Sequence, residues 1–205
     1  MIGSCSRANA VRALNFGTVS AFGGWSNAGY GRCRRPILNG PTPMNIEHKS
    51  FKRSDWVPNN TRLPVLIYRQ AIFDATSSDF EEAFEENGWT GIWRDGVFDY
   101  HHYHSGAHEA LGVGRGTANL QLGGPGGEII ELATGDCLLL PAGTGHKKIE
   151  ASSDFEIVGA YPPRQQADIQ TQAPSAELLA IISSLSIPGN DPVVGATGGL
   201  KEFWR

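Results

Sequence analysis

The chain has 205 residues and a formal net charge of −4 at pH 7, and 40% of its residues are hydrophobic. Its 26 glycines and 12 prolines favour a globular, turn-rich protein over a helical bundle. Because no apolar run approaches the roughly 20 residues that a bilayer-spanning helix needs, the sequence predicts a soluble protein with no membrane partner.

Residues 1–43 differ sharply in charge from the rest of the chain. They contain five arginines and no Lys, Asp or Glu, so the remainder carries all 21 acidic residues, 12 basic residues and a net charge of −9. An Arg-rich, Ser-containing segment without acids is typical of an organelle transit peptide. The alternative is a start assigned too far upstream, with translation beginning at Met44. Both interpretations predict a disordered leader outside the fold.

The charge and the cysteines limit partners and compartment. The residues after the leader carry a net negative charge, which does not suit binding to the phosphate backbone of a nucleic acid, so we expect no nucleic-acid partner. The three cysteines, Cys5, Cys33 and Cys137, are too few and too scattered for a disulfide framework or a zinc knuckle. This favours a reducing compartment, and we expect the cytoplasm unless residues 1–43 direct import into an organelle.

After the leader, the sequence predicts a strand followed by a short helix. The segment LPVLIYRQAI (63–72) is rich in β-branched and aromatic residues, which favours a strand. The next segment, SSDFEEAFEENG (77–88), has an apolar stripe at helical spacing. Ser78 is predicted to cap this helix in a capping box with Glu81, and Gly88 is predicted to end it.

From residue 89 to about 161, short apolar or alternating runs are separated by turn-forming residues. Such spacing predicts an antiparallel sandwich or barrel, whose core would cover about 63–161. A second helix is predicted at 175–185, with Ser175 as its N-cap. The tail at 162–205, including this helix, is expected to pack outside the barrel, so 44–205 would form one domain.

Histidines cluster in the segment GVFDYHHYHSGAHEALGVGRG (96–116), which holds four of the six in the chain. Side chains alternate across a strand, so His102 and His104 share one face and could reach one ion. Glu109 follows a short turn, and His146 would come from a later strand. Three imidazoles and one carboxylate suit Mn, Fe, Co, Ni or Zn, and the ligand types alone do not choose among them.

Two spaced motifs in this region resemble those of the cupins. The first family motif, G-x5-H-x-H-x(3,4)-E-x6-G, matches Gly96, His102, His104, Glu109 and Gly116. The second, G-x5-P-x-G-x2-H-x3-N, matches Gly135, Pro141, Gly143 and His146, with Glu150 in place of the final Asn. The wider sequence, from WVPNN to the C-terminal DPVVG, resembles the bacterial YjlB-type single-domain cupins.

This resemblance implies an all-β fold, the cupin double-stranded β-helix or jelly-roll barrel. The short N-terminal helix and the C-terminal helix predicted above would pack outside it. It also implies one divalent ion held by His102, His104, Glu109 and His146. His101 and His108 fall outside the family's ligand positions, and alternation places them on other faces. Single-domain cupins commonly form dimers, so a homodimer is expected, with the strand at 63–72 as a candidate edge for the interface.

Two functions are compatible with such a site. The first is a small metalloenzyme of oxygenase, decarboxylase or isomerase type that acts on a small oxygen-bearing molecule. Its catalytic residues are unknown from the sequence, although Lys148 and Glu150 would share the face of His146 in a regular strand. The alternative is a non-catalytic module that binds a small molecule or a metal.

Overall fold

Nine strands and three helices make up residues 45–205, the part of the chain that the computed structural model describes. The predicted leader at 1–43 lies outside these described residues. The elements in chain order are β1 (Asn45–Lys49), β2 (Val65–Arg69), α1 (Ser77–Glu86), β3 (Thr90–Asp95), β4 (Glu109–Arg115), β5 (Thr117–Leu122), β6 (Glu128–Ala133), β7 (Cys137–Leu140), β8 (His146–Ala151), β9 (Glu156–Tyr161), α2 (Ala176–Ser184) and α3 (Gly199–Phe203).

The strands form two antiparallel sheets. Six strands pair in the order β1-β2-β7-β4-β9-β3, and three pair in the order β6-β5-β8. Leu111 and Leu138 of the larger sheet and Leu120 of the smaller one belong to a single buried apolar cluster, so the inner faces of the sheets enclose this core. Two facing antiparallel sheets with crossing connections confirm the predicted all-β cupin jelly roll.

The outer face of the six-stranded sheet is covered by α1 and by the C-terminal end of the chain. Phe80 and Phe84 of α1 and Trp204 lie in a second buried cluster with the outward side chains of this sheet. The helix approaches β4 closely at Gly112, where a Cβ atom would overlap the ring of Phe80. Close packing of α1 therefore depends on a residue without a side chain at this position.

The N-terminal end of α1 differs from the prediction. The capping box uses Thr76 and Asp79 rather than Ser78 and Glu81, and the Asp79 carboxylate accepts a hydrogen bond from the Thr76 amide at 2.8 Å. Both pairs have the required spacing, but Glu81 is engaged in an ion pair with Arg94 across the surface. The cap of α2 is as predicted, since Ser175 accepts a hydrogen bond from the amide of Leu178.

The strand predicted at 63–72 is present as β2, but it is not an edge strand. It pairs with β1 on one side and with β7 on the other, so its backbone is already satisfied within the sheet. Among residues 45–205, the edges of the six-stranded sheet are β1 and β3. The proposed role of β2 as a free edge at a dimer interface is therefore wrong.

Within the same described range, no helix is both long enough and apolar enough to span a membrane.

A candidate metal centre

The four predicted ligands lie at the ends of strands or just outside them. Glu109 is the first residue of β4 and His146 is the first residue of β8. His102 belongs to the connection between β3 and β4, where its backbone exchanges two hydrogen bonds with that of His146, at 2.9 and 3.2 Å. His102 and His104 thus project to the same side without a regular strand, because two isolated backbone bridges, His102 to His146 and Tyr103 to Gln170, hold the segment extended.

The structure brings all four predicted side chains together in a buried cluster. One ring nitrogen from each of His102, His104 and His146 lies within 4.8 Å of the others. The Oε2 atom of Glu109 lies 3.2 Å from Nε2 of His104 and 3.4 Å from Nε2 of His146. Each of the four residues exposes 7% or less of its surface to solvent. A set of donors this buried needs a cation, or protons, to neutralise the carboxylate.

Backbone carbonyls orient the three imidazoles. Nδ1 of His102 lies 3.2 Å from the carbonyl oxygen of Tyr100, and Nδ1 of His146 lies 3.1 Å from that of Thr144. Nδ1 of His104 contacts the carbonyl oxygen of Asp168. A carbonyl only accepts, so these contacts assign the hydrogen to Nδ1 and leave the Nε2 lone pairs toward the centre. This arrangement suits histidine ligands of a metal ion, in which one ring nitrogen binds the ion and the other donates a hydrogen bond.

The electrostatics of the cluster also fit a cation. Burial lowers the pKa of His102 to about 3, and the neighbouring imidazoles add to the effect. Burial alone would also lower the pKa of His104, but the adjacent Glu109 carboxylate outweighs it and raises that pKa to about 9. Burial would raise the pKa of Glu109, whereas His104 and His146 hold it well below its usual value. Without an ion, the stabilising cation is a protonated His104, and a divalent ion would replace that proton.

The other two histidines of the segment lie outside the cluster, where the sequence placed them. His101 is partly exposed. His108 is fully buried against the ring of Trp204, at a centroid distance of 4.8 Å, and its Nδ1 accepts a hydrogen bond of 3.0 Å from the Ala142 amide. His108 is therefore a core residue on the opposite face of the chain from the metal centre.

Asp168 is a residue of the site that sequence reasoning missed. Its carboxylate accepts hydrogen bonds from the amides of Ser105 and Gly106, at 2.6 and 3.0 Å, and from the side chain of Gln170 at 2.7 Å. These bonds hold the segment after β9 against the turn that follows His104. The carbonyl of Asp168 is thereby placed on Nδ1 of His104. The segment carries no recognisable motif, so only the folded chain reveals the contact.

The cluster opens into a cavity of about 790 Å³. Its lining includes Trp93, Val97, Phe98, Leu111, Lys148, Tyr161 and Ile169, together with the four predicted ligands. The hydroxyl of Tyr161 accepts a hydrogen bond of 2.9 Å from the Trp93 indole, which fixes both rings in the wall. The volume is within the range of small-molecule sites in proteins.

The two candidate catalytic residues are separated by the fold. Lys148 lines the cavity, but Glu150 faces outward, where it accepts a hydrogen bond of 2.6 Å from Asn119. The register between β5 and β8 shifts between Asn119 and Leu120, so one extra residue of β8 is accommodated after Lys148. This β-bulge breaks the alternation on which the placement of Glu150 depended. The prediction that both side chains share the face of His146 is therefore wrong for Glu150.

No protein-family model matches the chain. Among solved structures, a cupin 2 domain-containing protein from Halorhodospira halophila is 11% identical, with 72% of this chain and 81% of that one covered and a TM-score of 0.31. Acireductone dioxygenase from Bacillus anthracis with cadmium is 16% identical, with coverages of 47% and 60% and a TM-score of 0.30. Procruciferin, an 11S globulin from Brassica napus, is 18% identical with a TM-score of 0.32; the match covers 54% of this chain and 23% of procruciferin. These superpositions are too loose to assign an activity.

A much stronger match is to "Uncharacterized protein YjlB" of Bacillus subtilis (strain 168). The two sequences are 39% identical over 150 residues, which is 72% of this chain and 90% of YjlB. Identity at this level over nearly the whole relative shows common ancestry, so the chain belongs to the YjlB family.

Proposed function

We propose that the protein is a metal-binding cupin that holds one divalent ion through His102, His104, Glu109 and His146. The observation that carries this proposal is the orientation of the imidazoles. All three turn Nδ1 to a backbone carbonyl, which leaves the three Nε2 lone pairs free, and those of His104 and His146 lie within 3.4 Å of the buried Glu109 carboxylate. Nitrogen and carboxylate donors of this kind suit Mn, Fe, Co, Ni or Zn.

We further propose that the protein is a small metalloenzyme of oxygenase, decarboxylase or isomerase type. A divalent ion at this site would polarise an oxygen atom of a small molecule, or activate O₂ if it is Fe or Mn. The chain supplies a cavity of about 790 Å³ with largely apolar walls, in which the charge on a substrate is weakly screened. Of the two candidate catalytic residues, Lys148 and Glu150, Lys148 lines this cavity, where its side chain could hold or pass a proton.

A non-catalytic binding module is the second candidate. The observation in its favour is that Glu150 faces away from the cavity, which leaves Lys148 as the remaining candidate for proton transfer. A measurable catalytic turnover would distinguish the metalloenzyme from the binding module. Oxygen uptake and a screen of small acids, enols and sugars, run with the metal found in the protein, should yield a metal-dependent rate for an enzyme and none for a binding module.

The metal proposal is tested by elemental analysis of the purified full chain and of single variants. His104→Ala and His146→Ala each remove a ligand and should lose most of the metal. Glu109→Gln should weaken binding while the fold persists, because it removes the anionic ligand at nearly constant volume. His101→Ala is the matched control and should retain the metal. Loss of metal in the control but not in His104→Ala would contradict the ligand assignment.

We propose a homodimer in the cytoplasm as the working assembly. An exposed edge strand needs a cover, and within residues 45–205 the larger sheet offers β1 and β3 for this role. Light scattering should report a dimer at micromolar concentration, and a monomer would contradict the proposal.

The cytoplasmic assignment is supported by the cysteine content, three scattered residues that are too few for a disulfide framework. Fractionation of cells that express the tagged full chain would test it.

A further inference from the structure

Lys148 differs from every other cationic side chain around the cavity. It lies two residues after His146 on β8 and on the same face, which places the two Cα atoms about 7 Å apart. Its side chain is half-buried, and within residues 45–205 no carboxylate lies within ion-pairing distance of its ammonium group. A half-buried cation beside apolar walls is costly unless an anion joins it.

The other charged side chains in the lining already have partners or face solvent. Arg94 forms two hydrogen bonds of 2.5 Å with the Glu81 carboxylate. Asp168 is satisfied by the turn after His104, and Asp95 is exposed and accepts a hydrogen bond of 2.7 Å from the Gly96 amide. With a divalent ion bound, the ion and Glu109 together would leave one positive charge, so positive charge would be concentrated on the ion and on Lys148, while the carboxylates of Asp95 and Asp168 are turned to backbone amides.

The remaining lining predicts the rest of the ligand. Phe98 lines the cavity and stacks on Tyr100 with ring centroids 4.9 Å apart, although each exposes more than 40% of its surface. Ile169, which also lines the cavity, is 53% exposed. Aromatic side chains left this open beside a cavity are suited to cover an apolar ligand, since burial of both surfaces is favourable.

We propose that the cavity binds a small organic acid with an apolar, ring-bearing body, and that Lys148 pairs with its carboxylate. The ring would lie along Phe98, and the rest of the molecule would extend toward His102, His104 and His146. Lys148 thus determines specificity for the charge of the ligand. The orientation toward the imidazoles rests on the proposed metal centre, whereas the pairing with Lys148 does not.

The test uses two probes that share a benzyl group, phenylacetate and its neutral amide phenylacetamide. Isothermal titration calorimetry of the zinc-loaded full chain should detect phenylacetate, with phenylacetamide at least about tenfold weaker because it lacks the charge-assisted contact. Lys148→Met should weaken phenylacetate by about tenfold or more and bring the two probes to similar affinity. Lys147→Met, which removes the same charge from the outward face of β8, should leave both affinities unchanged.

Two results would overturn the proposal. One is equal binding of phenylacetate by the unaltered chain and by Lys148→Met, which would leave the ion alone as the anion site. The other is failure of the unaltered chain to bind phenylacetate, or to prefer it over the amide. Zinc content is measured on the same samples, and the titration is repeated on metal-free protein. A chain that discriminates the probes through Lys148 but holds no zinc would refute the metal centre and leave this proposal standing.

Discussion

Protonation of His108 should destabilise the protein in mild acid. Its Nδ1 accepts a hydrogen bond from the Ala142 amide. A proton on this nitrogen would turn it into a donor, so the hydrogen bond would be lost and two N–H groups would face each other in the core. Burial, assisted by Arg62, lowers the pKa of His108 from 6.5 to about 4. Between these values the unfolded chain binds a proton that the folded chain does not. The stability contributed by this group is therefore fully present above about pH 6.5 and is lost as the pH falls to about 4.

The size of the effect follows from the two pKa values. At about 1.4 kcal/mol for each pH unit, the free energy of unfolding should fall by about 3 kcal/mol across this range. Urea denaturation of the metal-free protein at several pH values measures it. The control is His108→Asn, whose side-chain oxygen can still accept from the Ala142 amide but does not titrate. Above about pH 6.5, its free energy of unfolding should be lower than that of the unaltered protein, because contact with Trp204 is reduced. Between about pH 6.5 and pH 4, that free energy should fall by about 3 kcal/mol less than in the unaltered protein. Parallel pH profiles for the two proteins would refute the reasoning.

Three further predictions concern the metal centre and the fold. Asp168→Ala should weaken zinc affinity by about 10- to 100-fold, measured by competition with a chelator, because the carbonyl that orients one imidazole is released. Gly112→Ala should cost about 1–3 kcal/mol in urea denaturation, since the new Cβ would overlap Phe80. Gly189→Ala is the matched control, because a Cβ there meets no atom within 4 Å. A chain lacking residues 1–43 should keep its melting temperature and metal content; a clear drop in either would show that the leader packs on the barrel.

The candidate ligands could be predicted from the sequence because their positions depend on local spacing. The motif around His102 and His104 needs only an extended backbone, which isolated bridges to His146 and Gln170 provide. The second motif places His146 directly after a turn, and His146 is the first residue of β8. The register between β5 and β8, in contrast, depends on both strands. The sequence of residues 146–151 alone therefore did not reveal the bulge that turns Glu150 outward.

Other features depended on competition between equivalent local signals or on distant contacts. Two capping boxes fit the start of α1, and the structure uses that of Thr76 and Asp79, while Glu81 of the other box pairs with Arg94, a residue of β3. Asp168 lies more than 60 residues from the turn that it holds, in a segment without strand or helix periodicity. Contacts of this kind are set by the tertiary fold, so the sequence alone could not supply them.

The contact between His104 and Asp168 has a consequence for the order in which the site is assembled. The four candidate ligands and the nine strands found within residues 45–205 all precede residue 162, so they are synthesised before the segment that contains Asp168. The carbonyl that fixes the third imidazole emerges only afterwards. During synthesis, full metal affinity should therefore wait for the segment after β9, because a chain that ends near Tyr161 has all four candidate ligands but lacks the carbonyl that orients His104.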